Sequence, residues 1–157
     1  MSPFLPMLGF NCGLRAGRRK DASRNINLYR KYVVNIADES LLEDLHLSSE
    51  DHPPEASEVE VLGLKTASGV SIRTQQLADV SASMECWQSQ VLSFGSTESE
   101  FFVGEVLQFD VRDDLYSNGK IDTKLLRPIC RLGGPTTRPW VRSFTIDSVG
   151  CLPSDGG

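Results

Sequence analysis

Residues 101–111 constrain this chain more than any other stretch. Phe101, Val103, Leu107, Phe109 and Val111 fall on one side of an extended chain, and Gln108, Asp110 and Arg112 fall on the other. A period of two is that of a half-buried strand, so the odd-numbered residues are expected to face the core. Glu105 shares their parity. A carboxylate there either accepts bonds from backbone amides where strands cross, or serves a catalytic or ligand role. Asn118-Gly119 follows, the dipeptide that accepts positive φ at both centres of a type I′ turn, and predicts a hairpin. Pro128 stops any regular element. Arg131-Leu132-Gly133-Gly134 then sets a guanidinium beside two glycines that let backbone approach a ligand closely.

The rest of the chain reads around that strand. Ala82 to Phe94 predicts its antiparallel partner, joined by a turn over residues 95–100. Residues 3–10 and 32–36 read as short buried strands. A helix is expected from Asp21, taken as its N-cap, with Ala22, Ile26, Tyr29 and Val33 at helical spacing. A second short helix is expected over 38–47, with Leu41, Leu42 and Leu45 on one side. Residues 48–60 form an acidic, proline-broken loop, either a cover over a site or a solvated connection. Residues 71–80 show no strong period. Short antiparallel strand signals outnumber helices and no βαβ rhythm occurs, so the fold class is mainly β, a barrel with short helices.

With 157 residues and 39% hydrophobic composition, one domain is expected. Cys12, Cys86, Cys130 and Cys151 are far apart, with no C-x-x-C pair, and read as reduced thiols. Cys86 is expected to be a buried structural thiol, since no basic partner for a nucleophile is evident. His46 and His52 flank the acidic loop and read as solvated surface, so no metal is assigned. The first ten residues hold two prolines and no basic segment, which supports neither a secretory signal nor a membrane span. A soluble, cytoplasmic protein is expected.

The net charge of -5 is unevenly spread. Residues 1–37 carry seven Lys or Arg against one acid, residues 38–118 carry three against seventeen, and residues 119–157 carry six against three. The positive segments also hold the glycine-rich and helix-start signals, which points to convergence on one anion. No aromatic residues are interleaved with the basic ones, which argues against nucleic acid. The candidate anchor is Arg18-Arg19-Lys20 at the start of the Asp21 helix, where unpaired amides and the helix dipole favour a phosphate; a solvated basic turn is the bland alternative.

Several motifs resemble the flavin reductase-like, FMN-binding split-barrel family. They are Gly104-Glu105-Val106, Asp113-Asp114, Gly119-Lys120-Ile121-Asp122, and Leu126-Arg127-Pro128-Ile129-Cys130-Arg131-Leu132-Gly133-Gly134. Upstream, Lys20-Asp21-Ala22-Ser23-Arg24-Asn25-Ile26 is similar to the family's K-D-[TS]-x-x-N-[IL], with Ala22 in place of the hydroxyl residue. Tyr32-Val33-Val34-Asn35 is similar to its F-V-V-N, and Glu85-Cys86 to its E-C. Glu58, Gly63 and Leu64 fit its E-[FW]-x-x-x-G-L, with Val59 at the aromatic position. Thr137 stands where the family usually has Tyr.

The resemblance implies a Greek-key split barrel over 1–137, incomplete at its N-terminus because the family's first strands and its Asn-x-x-Pro-Phe-Ser-like loop have no counterpart. A C-terminal tail over 138–157 is expected to be partly disordered. It further implies a homodimer that binds FMN, with NAD(P)H as co-substrate, and transfers reducing equivalents to flavin. Arg18, Arg19, Lys20, Asp21, Ser23, Asn25, Arg131 and Gly134 would then hold the cofactor, and no classical acid/base residue is expected. The alternative is a non-catalytic flavin-binding or degenerate split-barrel scaffold.

Overall fold

The structure is a computed structural model that describes residues 5–48, 53, 56–95, 99–131 and 137–139, with the side chains of 131 and 137–139 left out. The expected tail lies outside them beyond residue 139, and so do residues 49–52 and 54–55 of the acidic loop.

In chain order the described elements are strands β1 (Met7–Cys12), β2 (Leu14–Arg15) and β3 (Arg18–Arg19), helix α1 (Asp21–Tyr29) and strand β4 (Lys31–Ile36). Helices α2 (Leu42–Leu47) and α3 (Glu58–Val61) precede the small hairpin of β5 (Thr66–Ser68) and β6 (Gln75–Leu77). The long strands β7 (Ala82–Phe94) and β8 (Ser99–Val111) follow, then β9 (Tyr116–Ser117), β10 (Lys120–Ile121), α4 (Thr123–Leu126), β11 (Ile129–Arg131) and β12 (Thr137–Pro139). The central sheet has the order β1-β8-β7-β4 and is antiparallel throughout. The fold is mainly β and of split-barrel type, although the barrel is not closed.

The expected partner strand, Ala82–Phe94, is present with those bounds and pairs with β8. The β9–β10 turn has φ of 51° at Asn118 and 77° at Gly119, the left-handed pair that a type I′ hairpin requires. The unpatterned 71–80 segment contributes β6, a three-residue strand too short to show a period.

The expected face of β8 is corrected. Its buried residues are the even-numbered Glu100, Phe102, Gly104 and Val106, whereas Leu107 and Phe109 are exposed. The pairing explains part of this. Cys86 pairs with Val106 and Glu85 with Gln108, so Leu107 is an extra residue and the face reverses there. Beyond the bulge Val111 packs with Ala82, Leu115 and Leu126 in a second small core. Before it, Phe102 and Val106 join Cys12, Ile26, Tyr32 and Cys86 in the main core. Full burial of a side chain such as Phe102 contributes about 1.5–3 kcal/mol.

The backbone-binding carboxylate is Glu85, not Glu105. It is fully buried on the other sheet face and accepts from the amides of Val70 (2.7 Å), Ser71 (2.9 Å) and Ile72 (2.8 Å). Lys31 Nζ adds a bond to the Ile72 carbonyl at 3.0 Å, and the Leu77 amide donates to Asn35 Oδ1 at 3.2 Å. The β5–β6 segment thus covers one end of that face. At the other end Met7, Trp87, Leu92 and Phe94 stand exposed to a degree of 44–56%.

Candidate functional site

The basic segment folds as a tight hairpin running directly into α1. Ala16 and Gly17, with φ of 48° and 72°, form the turn, and the register pairs Leu14 with Arg19 and Arg15 with Arg18. Because side chains alternate along a strand, Arg19 shares a face with half-buried Leu14, and Arg18 shares the opposite face with Arg15. Lys20 is extended (φ -66°, ψ 157°) and is the N-cap residue, but its side chain makes no capping bond. The first intrahelical bond runs from the Arg24 amide to the Lys20 carbonyl at 3.1 Å. The amides of residues 21–23 precede it and belong to the unpaired donors of a helix start.

Asp21 is therefore the first helical residue rather than the expected cap, and its carboxylate accepts from the Arg24 guanidinium. The expected apolar stripe is also shifted. Ser23 and Ile26 are the buried residues of α1, while Ala22 and Tyr29 face outward. A core that lies on the Ser23–Ile26 side leaves Ala22 at the exposed first turn.

Ser23 and Arg19 meet a group that no motif in the sequence marks. Glu100, at the start of β8, is 4% exposed, and Ser23 is 1% exposed. The Ser23 hydroxyl donates to Glu100 Oε2, the Arg19 guanidinium lies 2.9 Å from Oε1, and Asn27 Nδ2 lies 3.4 Å from the same oxygen. Asn27 also donates to the Ser23 carbonyl at 3.0 Å. The signal in the sequence is parity: Glu100 alternates with Phe102, Gly104 and Val106, and becomes conspicuous only once that face is known to be buried.

The candidate residues thus divide. Arg18, Lys20, Asp21 and Asn25 are exposed around the helix start, and Arg19 and Ser23 turn toward Glu100. Arg131 ends β11, with a side chain that is not described, and Gly134 lies outside the described residues.

Elsewhere the polar groups are tied to the scaffold. Asp38 accepts from the Ser40 amide (2.9 Å), the Ser40 hydroxyl (2.5 Å) and the Ser81 hydroxyl. Burial alone would raise its carboxyl, but these bonds and the nearby Arg112 charge outweigh it and hold the group below the usual carboxylate value. Burial pushes the Cys86 thiol up to about 11, partly offset by Tyr32, which leaves it a poor nucleophile at neutral pH. Among the described residues no three His, Cys, Asp or Glu side chains gather as a metal would need, and no helix is long and apolar enough to cross a membrane.

The chain as a whole is similar to known proteins. A family model for the flavin reductase like domain matches residues 1–125. An uncharacterized protein of Halalkalibacterium halodurans is 34% identical over 147 residues, covering 90% of this chain and 70% of that protein. Among solved structures, nitrilotriacetate monooxygenase component B from Bacillus cereus superposes with a TM-score of 0.83 at 29% identity, covering 88% of this chain and 71% of that one. The 2-nitrobenzoate 2-nitroreductase of Pseudomonas fluorescens, at 24% identity, shares the fold with a TM-score of 0.77, covering 96% of this chain and 72% of its own. On the family model and the level of identity together, this chain belongs to the flavin reductase like family.

Proposed function

We propose that the protein binds FMN and acts as a flavin reductase-like oxidoreductase, passing reducing equivalents from NAD(P)H to flavin. The observation that carries this reading is the uncapped helix start of α1, with Arg18 and Lys20 exposed beside it. Unpaired amides, the positive end of the helix dipole and two cations together suit a phosphate monoester. In this reading the Lys20 ammonium supplies a charge-assisted contact of about 1.5–3 kcal/mol, and Arg18 and the amides of 21–23 orient the phosphate. Asn25, Arg131 and Gly134 are assigned to the same cofactor on the motifs alone. FMN, when bound, supplies the hydride chemistry, and the chain supplies position and electrostatics. The similar Bacillus cereus protein is named as a component of a monooxygenase, which agrees with a redox role. We further infer a cytoplasmic homodimer in which a second copy covers the open apolar end of the sheet at Met7, Trp87, Leu92 and Phe94.

A second reading, a flavin-binding or degenerate scaffold without turnover, is favoured by one observation. Ala22 brings no hydroxyl to the exposed first turn, and the Ser23 hydroxyl is taken by Glu100. Titration with FMN, followed by flavin fluorescence and by consumption of NADH and NADPH, separates the two. Stoichiometric FMN with nicotinamide oxidation is the outcome expected of the enzyme. FMN uptake without oxidation selects the flavin-binding scaffold, and no uptake rejects the FMN site and leaves the degenerate one.

A further inference from the structure

We propose that Glu100 is the positioning residue of the phosphate site: its buried carboxylate ties the basic hairpin and the first turn of α1 to the central sheet. The inference rests on the phosphate reading above and adds to it the group that holds the site in shape. Three side chains converge on the one carboxylate, Arg19 from β3 and Ser23 and Asn27 from α1. Glu100 itself sits on β8, opposite Cys12 of β1 and Ser93 of β7, in a strand paired on both sides within the central sheet. Otherwise the hairpin is a weak unit, two residues per strand, and such a hairpin is marginal by itself in water. Anchoring Arg19 fixes the hairpin's outward face, which carries Arg18. Anchoring Ser23 and Asn27 fixes the helix start, whose unpaired amides are those of residues 21–23. The donors that would meet a phosphate are thereby held in one arrangement before it arrives, which lowers the ordering cost of binding.

A negative charge beneath an anion site would by itself weaken binding. Here Arg19 lies 2.9 Å away and offsets it; removal of Glu100 uncovers that cation, which by charge alone would tighten an anion, and loses the anchor. Positioning and charge therefore predict opposite signs. A general structural role predicts a third outcome, in which phosphate-bearing and phosphate-free flavins are affected alike.

The test is fluorescence titration of FMN and riboflavin with the full chain and its Glu100→Ala, Ser23→Ala and Lys20→Ala variants. Glu100→Ala is expected to weaken FMN roughly five- to tenfold and leave riboflavin within about twofold, with Ser23→Ala moving in the same direction by less. If FMN tightens, or if both flavins weaken equally, the positioning role is overturned. If Glu100→Ala does not fold, Ser23→Ala and Asn27→Ala, each of which cuts one bond to the carboxylate, carry the test, and no selective loss of FMN in either overturns it. Lys20→Ala checks the underlying reading. Selective loss of FMN there without any in Glu100→Ala rejects Glu100 alone, whereas no selective loss in Lys20→Ala rejects the phosphate site itself.

Discussion

The phenol of Tyr32 occupies the space that a side chain at Gly104 would need: a Cβ built at Gly104 would collide with the Tyr32 hydroxyl and lie 3.0 Å from the Trp87 carbonyl. The two residues are on strands separated by β7, and the contact crosses it through the main core. Burial, with a smaller contribution from Cys86, pushes the phenol up to about 12, so it is uncharged at any ordinary pH. The Cys86 thiol donates instead to the Met84 carbonyl at 3.7 Å, and the Tyr32 hydroxyl is buried without a hydrogen-bond partner among the described residues.

Gly104→Ala is therefore expected to cost about 1–3 kcal/mol by overpacking. Tyr32→Phe removes the unpartnered hydroxyl and is expected to be neutral or to stabilise by up to about 1 kcal/mol. In the double variant part of the Gly104→Ala cost should be recovered, a non-additivity that a urea-denaturation cycle measures. Additive costs would show that the two groups do not compete for one space.

Glu85 is the sole described acceptor for three consecutive amides, so its truncation has a local signature. Glu85→Ala is expected to cost about 1–3 kcal/mol, the penalty for the one buried donor at Ile72, because Val70 and Ser71 are exposed and their amides can turn to water. Hydrogen exchange at Val70, Ser71 and Ile72 should accelerate while β7 and β8 stay protected. Unchanged exchange there would mean that the segment is held by other contacts.

Asp38 makes stability depend on pH with a definite sign. Its folded-state value lies below the ordinary 3.8, so its contribution is complete above that value and is lost as pH falls through the folded-state one. Asp38→Ala, which leaves the Ser81 hydroxyl only the bond it accepts from Arg112 at 3.1 Å, is expected to cost about 1–3 kcal/mol at neutral pH. Urea midpoints of the two proteins should converge below about pH 4, the ordinary carboxylate range. A gap that persists undiminished in acid would assign the stabilisation to packing rather than to the carboxylate.

Ala22 stands at the exposed first turn, so a hydroxyl there is free to face a ligand. Ala22→Thr is expected to tighten FMN several-fold through one hydrogen bond of about 0.5–1.5 kcal/mol, with riboflavin unchanged. Equal tightening of both flavins would place the new hydroxyl somewhere other than at the phosphate.

Local chemistry was sufficient for the strand Ala82–Phe94, for the Asn118-Gly119 turn and for a helix near Asp21, because alternation, positive φ and helix-start residues act over a few positions. The face of β8 was beyond its reach. Both sides of that strand carry apolar residues, Phe101 and Val103 on one and Phe102 and Val106 on the other, so a period of two reveals two faces without saying which is covered. Packing of α1, β1 and β4 on the even side decided it, and the extra residue Leu107 then reversed the parity. The roles of the acids followed from that choice. Glu105 is half-buried, Glu85 lies under the β5–β6 segment, and Glu100 lies beneath Arg19 and Ser23, each through partners distant in sequence. Lys20 and Arg18 could be singled out from the chain alone because they adjoin the helix start in sequence, whereas Glu100 reaches that helix from residues 77 and 73 positions away, a proximity only the folded sheet creates.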